Sequence, residues 1–148
     1  MRARRAEVGD DREVFQVPEP PEIERQYVRE RLMDVSSGRR NSLADDALVV
    51  VLEWGPPRRL SEMWRLETRQ ASVGPAEREA ALAAARAVAH LAYELTARAW
   101  PHDGREGPIE GERVDAEALE TLSSRHPDLD RESLRRAIWQ GNYTHWRG

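Results

Sequence analysis

The chain has 148 residues, of which 39% are hydrophobic and 34% are charged, and its formal net charge is −4. It contains neither cysteine nor lysine, which excludes disulfides, thiol nucleophiles, cysteine zinc sites, Schiff-base chemistry and a P-loop lysine. The length predicts one domain, and the low apolar content predicts a thin core, as in slender helices or a subunit that completes its core against a partner.

The first segment, residues 1–20, mixes charges of both signs and ends in a proline-rich sequence. Pro18 and Pro20 restrict the backbone, so we expect an extended, flexible arm. Its arginines are not followed by an apolar stretch, which argues against a secretory signal. No run approaches the roughly 18 apolar residues of a membrane span. We therefore expect a cytoplasmic protein that does not associate with membranes.

A helical pattern begins at Pro21, and residues 21–148 are predicted to form a single all-α domain. Apolar residues recur at spacings of three and four from Ile23 to Val35, and Gly38 is a natural end to this first helix. Continued along the chain, the same periodicity predicts a small bundle of about five or six helices.

The sequence ALVVVLEWGPPRRLSEMW, residues 47–64, allows two interpretations. Ser42 is a good N-cap and Gly55 is a natural stop, which favours a helix over residues 43–54 and a second short helix beyond the Gly-Pro-Pro corner. The β-branched run LVVVL is also typical of a buried strand. An α+β fold with a hairpin at about 47–70 is therefore the alternative.

Three more helices are predicted in the second half of the chain. Residues 75–100 are the clearest of them, because the segment begins with proline and is rich in alanine and leucine. A polar, glycine-rich loop is expected at 101–113. Asp115 and Asp130 are predicted to cap the last two helices, and Gly141 is predicted to lie just past the final one. The remaining NYTHWRG is then an aromatic tail.

The sequence carries no catalytic signature, and its four histidines are not at metal-ligand spacing. His90 is predicted to be a half-buried packing residue, while His102 with Asp103 fits either a coordinating pair or a solvated turn. Asp45 and Asp46 are predicted to act only as favourable charge at a helix N-terminus. We therefore expect no enzyme activity, no cofactor and no metal site.

The chain has five tryptophans but one phenylalanine. Core capping is the default interpretation for Trp54, Trp100 and Trp139, which lie at predicted helix ends. A protein interface is the alternative, because tryptophan and arginine are enriched in binding hot spots. Tyr143 and Trp146 are the strongest candidates, because residues of a C-terminal tail have fewer core residues to pack against. The candidate partner contacts are Trp54, Arg58, Arg59, Trp64, Arg135, Arg136, Tyr143 and Trp146.

These observations favour a non-enzymatic interaction protein, either an adaptor or a small subunit of a larger assembly, with a protein partner or a second copy of itself. The alternative is a helix-turn-helix transcriptional regulator. Residues 43–100 loosely resemble the first three helices of a winged helix-turn-helix domain, and LSSRHPDLDRESLRRAIWQ predicts two helices around a turn. Nucleic acid is not the favoured partner, because the arginines occur in local pairs and form no basic half.

Overall fold

A computed structural model describes residues 19–36, 41–101 and 107–147. Most of the expected N-terminal arm, the predicted stop at Gly38, and His102 with Asp103 lie outside these residues. The described ranges contain six α-helices: α1 Pro20–Ser36, α2 Leu43–Leu52, α3 Glu62–Arg69, α4 Pro75–Thr96, α5 Gly111–Arg125 and α6 Arg131–Arg147. Short 3₁₀ helices at Pro56–Arg59 and Ala97–Ala99 follow α2 and α4. The all-α prediction is confirmed.

The hairpin alternative at 47–70 is wrong, because this segment forms α2, a 3₁₀ turn and α3. Ser42 caps α2, and its hydroxyl oxygen accepts a hydrogen bond from the Asp45 amide at 3.1 Å. Gly55 adopts a φ of +76°, a backbone conformation that residues with a side chain rarely adopt. This conformation turns the chain away from the axis of α2. Ser61 then caps α3, with its hydroxyl oxygen 3.0 Å from the Trp64 amide.

Helix α4 lies at the centre of the bundle and contacts α2, α3, α5 and α6. Its buried stripe repeats at spacings of three and four, and the alanines in that stripe let neighbouring helices approach closely. The buried residues of this main core are Ala47, Leu48, Val50, Leu66, Leu82, Ala85, Val88, Ala92, Ala118, Leu122, Leu134, Ala137 and Ile138. Within the described ranges, no helix combines the length and apolar character needed to cross a membrane.

The boundaries of the last two helices differ from the sequence-based expectation. Helix α5 begins at Gly111, so Asp115 lies inside the helix, where its carboxylate accepts a hydrogen bond from Asn142 at 2.9 Å. Helix α6 begins directly after Asp130, as predicted, but continues through Gly141 to Arg147. Gly141 is buried against α4, so it permits close packing of two helices and does not end one. The predicted aromatic tail is therefore helical.

A second, smaller core joins α1 to the rest of the fold. It consists of Ile23, Tyr27 and Leu60, with Trp64 packed against them. The Tyr27 and Trp64 rings lie 5.9 Å apart between centroids. This core places α1 beside α3 and the Pro56–Arg59 turn, and it brings the polar residues of α1 next to those of α2 and α3.

Candidate functional site

Four aromatic rings from two separate parts of the chain meet at one side of α6. Trp139, Tyr143 and Trp146 follow spacings of four and three, so they share one face of that helix. Tyr143 lies among the other rings, with centroid distances of 5.4 Å to Trp139 and 5.7 Å to Trp146. Trp54, just beyond the end of α2, meets Tyr143 edge-on at 5.2 Å. We term these four residues the aromatic face.

The aromatic face is strongly exposed to solvent. Trp139 is 62% exposed, Trp146 is 58% exposed and Trp54 is 40% exposed. The indole N–H of Trp54 donates a hydrogen bond to the Gln140 side chain, which holds this ring against α6. Single exposed apolar residues are common, but contiguous rings mark interaction surfaces more often than isolated ones do.

An apolar groove runs beside the aromatic face, between α2 and α6. Leu48, Leu52 and Trp54 line one side of it, and Arg136 and Trp139 line the other. Its volume is about 250 Å³, slightly less than the roughly 300–1,000 Å³ of typical small-molecule sites. The groove therefore extends the apolar surface beside the aromatic face towards α2.

Several of the candidate contacts from the sequence meet at this surface. Trp54, Tyr143 and Trp146 belong to the aromatic face, and the Arg58 guanidinium lies 5.9 Å from the Trp54 ring centroid. Trp139 was not among the candidates. With the last helix predicted to end at Gly141, Tyr143 and Trp146 were not expected to lie on the same helix face as Trp139. The spacing of four and three is the sequence signal that identifies it.

The other candidate contacts lie elsewhere or at the margin. Arg135 and Arg136 are exposed on α6, on the same side as the aromatic face. Arg59 is exposed in the Pro56–Arg59 turn. Trp64 packs half-buried in the small core under α1, so the structure does not bring it to the aromatic face.

Comparison of the chain with protein-family models, curated proteins and solved structures gives no match in any of the three.

A second notable site is a buried ionic cluster between α1, α2 and α3. Asp46 is completely buried, and its carboxylate accepts hydrogen bonds from Gln70 at 2.7 Å and Asn41 at 3.1 Å. The guanidiniums of Arg69 and Arg31 lie 3.4 Å and 3.7 Å from its oxygens. The view that Asp46 acts only as favourable charge at a helix N-terminus is therefore wrong. Its position on the inward side of α2 makes it a counterion.

The cluster continues through Tyr27 and Glu53. The Tyr27 hydroxyl donates to the Glu53 carboxylate at 2.8 Å and accepts from Arg69 at 2.7 Å. Arg65 is buried, and it donates to Glu53 at 3.1 Å and to the Val50 carbonyl at 2.9 Å. These charged groups satisfy one another across three helices, so we assign the cluster to the docking of α1.

Burial raises the pKa of the Tyr27 phenol above its ordinary value of 10.0, while the Arg69 guanidinium opposes this rise and the Glu53 carboxylate adds to it. Burial lowers the pKa of Arg69, but the facing Tyr27 with Glu53 and Asp46 outweighs it, and the net shift is upward. Both shifts make the protonated forms more favourable in the folded protein than in the unfolded chain.

Stability is therefore expected to decline as the pH rises above 10.0. The unfolded chain then loses the Tyr27 proton while the folded protein keeps it, which favours unfolding. Urea unfolding midpoints at neutral pH and above 10.0 measure this effect. Tyr27→Phe should be less stable at neutral pH and show a smaller alkaline decline, whereas the exposed control Tyr93→Phe should keep the decline. Equal declines in wild-type and Tyr27→Phe proteins would contradict the assignment.

Two of the described histidines, His90 and His145, each pair with one other side chain. The His90 side chain is 70% exposed and pairs with Glu94 at 2.8 Å, so the prediction of half-buried packing is wrong. The His145 ring stacks on Tyr93 at 4.1 Å between centroids. Among the described residues, no group of three or more histidine, aspartate or glutamate side chains is placed to hold a metal ion.

Proposed function

We propose that this chain is a non-enzymatic helical interaction protein, an adaptor or a small subunit of a larger assembly, and that the aromatic face is its contact surface. The observation that supports this most is the exposure of Trp54, Trp139 and Trp146 around one tyrosine. Burying apolar surface contributes about 25 cal/mol per Å², so a partner that covers these rings gains substantial affinity. A cytoplasmic location remains a prediction.

The aromatic face is also preorganised, which favours binding. Its rings contact one another, and Trp54 is held by its hydrogen bond to Gln140. A partner therefore loses little affinity to the ordering of these side chains. The exposed arginines Arg58, Arg135 and Arg136 lie nearby and supply the polar margin that surrounds the apolar centre of most protein interfaces.

The test is affinity capture from lysate of the source cells with quantitative mass spectrometry. We compare the wild-type chain with a variant that combines Trp139→Ser and Trp146→Ser. Each tryptophan is expected to contribute about 2 kcal/mol, or about 30-fold in affinity, so specific partners should be lost from the double variant. Ile109→Ser is the matched control, because Ile109 is 53% exposed but lies outside α6.

Circular dichroism and urea unfolding must first show that the variants fold like the wild-type chain. Retention of every partner by the double variant would refute the aromatic face as the contact surface. A measurement of binding to duplex DNA tests the alternative function. Binding that weakens with salt and is lost with Arg135→Ala and Arg136→Ala, but persists without the two tryptophans, would replace this proposal with the helix-turn-helix alternative.

A further inference from the structure

The exposed side of α6 carries a seam with the spacing of a coiled coil. Glu132, Arg136, Trp139, Tyr143 and Trp146 are separated by four, three, four and three residues, and all except the half-buried Tyr143 are exposed. Two helices can pack along such a seam, because a spacing of alternately three and four keeps the same residues facing the partner. The opposite side of α6 is already buried by the core residues Leu134, Ala137, Ile138 and Gly141.

The order of charges along the seam is complementary to itself in only one direction. An antiparallel pair of α6 helices centred between residues 139 and 140 places Glu132 of one copy beside Arg147 of the other, which is exposed at the end of α6 next to the seam residue Trp146. It also places Arg136 beside Tyr143, where a guanidinium can lie over the ring. A parallel pair would instead place Glu132 against Glu132 and Arg136 against Arg136, which is repulsive.

We infer that the partner of the aromatic face is a second copy of this chain, packed antiparallel along α6. This inference rests on the proposed function and specifies its partner. The two-fold axis repeats each favourable pair, and Trp139 of one copy meets Trp139 of the other near that axis. The exposed rings offer roughly a few hundred Å² per copy, which is at the small end for specific interfaces. We therefore expect the dimer to be in a concentration-dependent equilibrium with the monomer.

Sedimentation equilibrium of the full chain over a range of concentrations tests the inference. The wild-type mass should rise with concentration from 17.0 kDa towards twice that value. The combined Trp139→Ser and Trp146→Ser variant should remain at the monomer mass throughout. Ile109→Ser should follow the wild-type curve, which separates the effect of the aromatic face from a general loss of exposed apolar surface.

Charge reversal tests the antiparallel register. Glu132→Arg and Arg147→Glu each convert two attractive pairs into two repulsive ones, so each variant alone should dimerise more weakly by about fivefold or more. A mixture of the two variants should recover dimerisation, because every pair in the mixed dimer joins opposite charges. In a parallel dimer, Glu132→Arg alone would not weaken association, since it exchanges one like-charge pair for another.

Three outcomes would overturn the inference. One is a wild-type chain that stays monomeric at all concentrations; if a different protein still binds the aromatic face, the proposed function survives without this partner. Another is a dimer that persists without Trp139 and Trp146. The third is a dimer that needs both tryptophans but is insensitive to either charge reversal, which would exclude the antiparallel register.

Discussion

Asp46→Ala is expected to lower the free energy of unfolding by about 3 kcal/mol. The substitution leaves the guanidiniums of Arg31 and Arg69, whose side chains are each 13% exposed, facing a site without its carboxylate. It also removes the acceptor of the Gln70 and Asn41 amides. Breaking a buried pair typically costs about 3–5 kcal/mol. The lower value applies here, because Arg69 also pairs with a second carboxylate at 3.6 Å.

Urea unfolding monitored by tryptophan fluorescence measures this effect, and two further variants sharpen it. Asp46→Asn keeps one acceptor oxygen and the side-chain volume, so we expect a smaller loss, about 1–2 kcal/mol. Asp45→Ala is the control one residue away. It removes a partly exposed carboxylate that accepts from the Asp130 amide at 3.0 Å, and it should cost about 1 kcal/mol. Equal losses for Asp45→Ala and Asp46→Ala would contradict a counterion role for Asp46.

Gly141→Ala is expected to destabilise the fold by about 1–3 kcal/mol. In an exposed helix the same substitution would stabilise by about 1 kcal/mol through helix propensity. At this position, however, the new methyl group would lie 2.7 Å from the Thr96 hydroxyl oxygen, 3.1 Å from the Ala92 carbonyl oxygen and 3.2 Å from the Tyr93 α-carbon. Two of these atoms belong to the α4 backbone, so overpacking outweighs propensity and α6 must move away from α4.

Thermal and urea unfolding of a small variant series check this expectation. Thr144→Ala, at an exposed position of the same helix, should change stability by no more than about 0.5 kcal/mol. Thr96→Ala combined with Gly141→Ala should recover part of the loss, because it removes the nearest atom but leaves the Ala92 carbonyl in place. If Gly141→Ala alone raises stability by the propensity value, the close packing of α4 and α6 is refuted.

The features of the fold that the sequence predicts correctly are those that depend on local interactions. The cap at Ser42, the turn at Gly55 and the start of α4 at Pro75 each depend on a few neighbouring residues. The choice of helix over hairpin at 47–70 follows from two of these signals. Because such interactions are complete within one or two turns, the element order and the all-α class could be predicted without knowledge of any long-range contact.

Long-range contacts assign the remaining roles, because one residue type serves several purposes. The sequence predicts that Asp46 is only a favourable charge at a helix N-terminus. Two arginines from other helices instead make it a buried counterion. The sequence predicts that the last helix ends at Gly141. In the structure α4 packs against this glycine, and α6 continues through it. That continuation places Tyr143 and Trp146 in register with Trp139. The spacing of these three rings is a local pattern, but the continuation of α6 through Gly141 and the position of Trp54 against Tyr143 depend on how the helices pack.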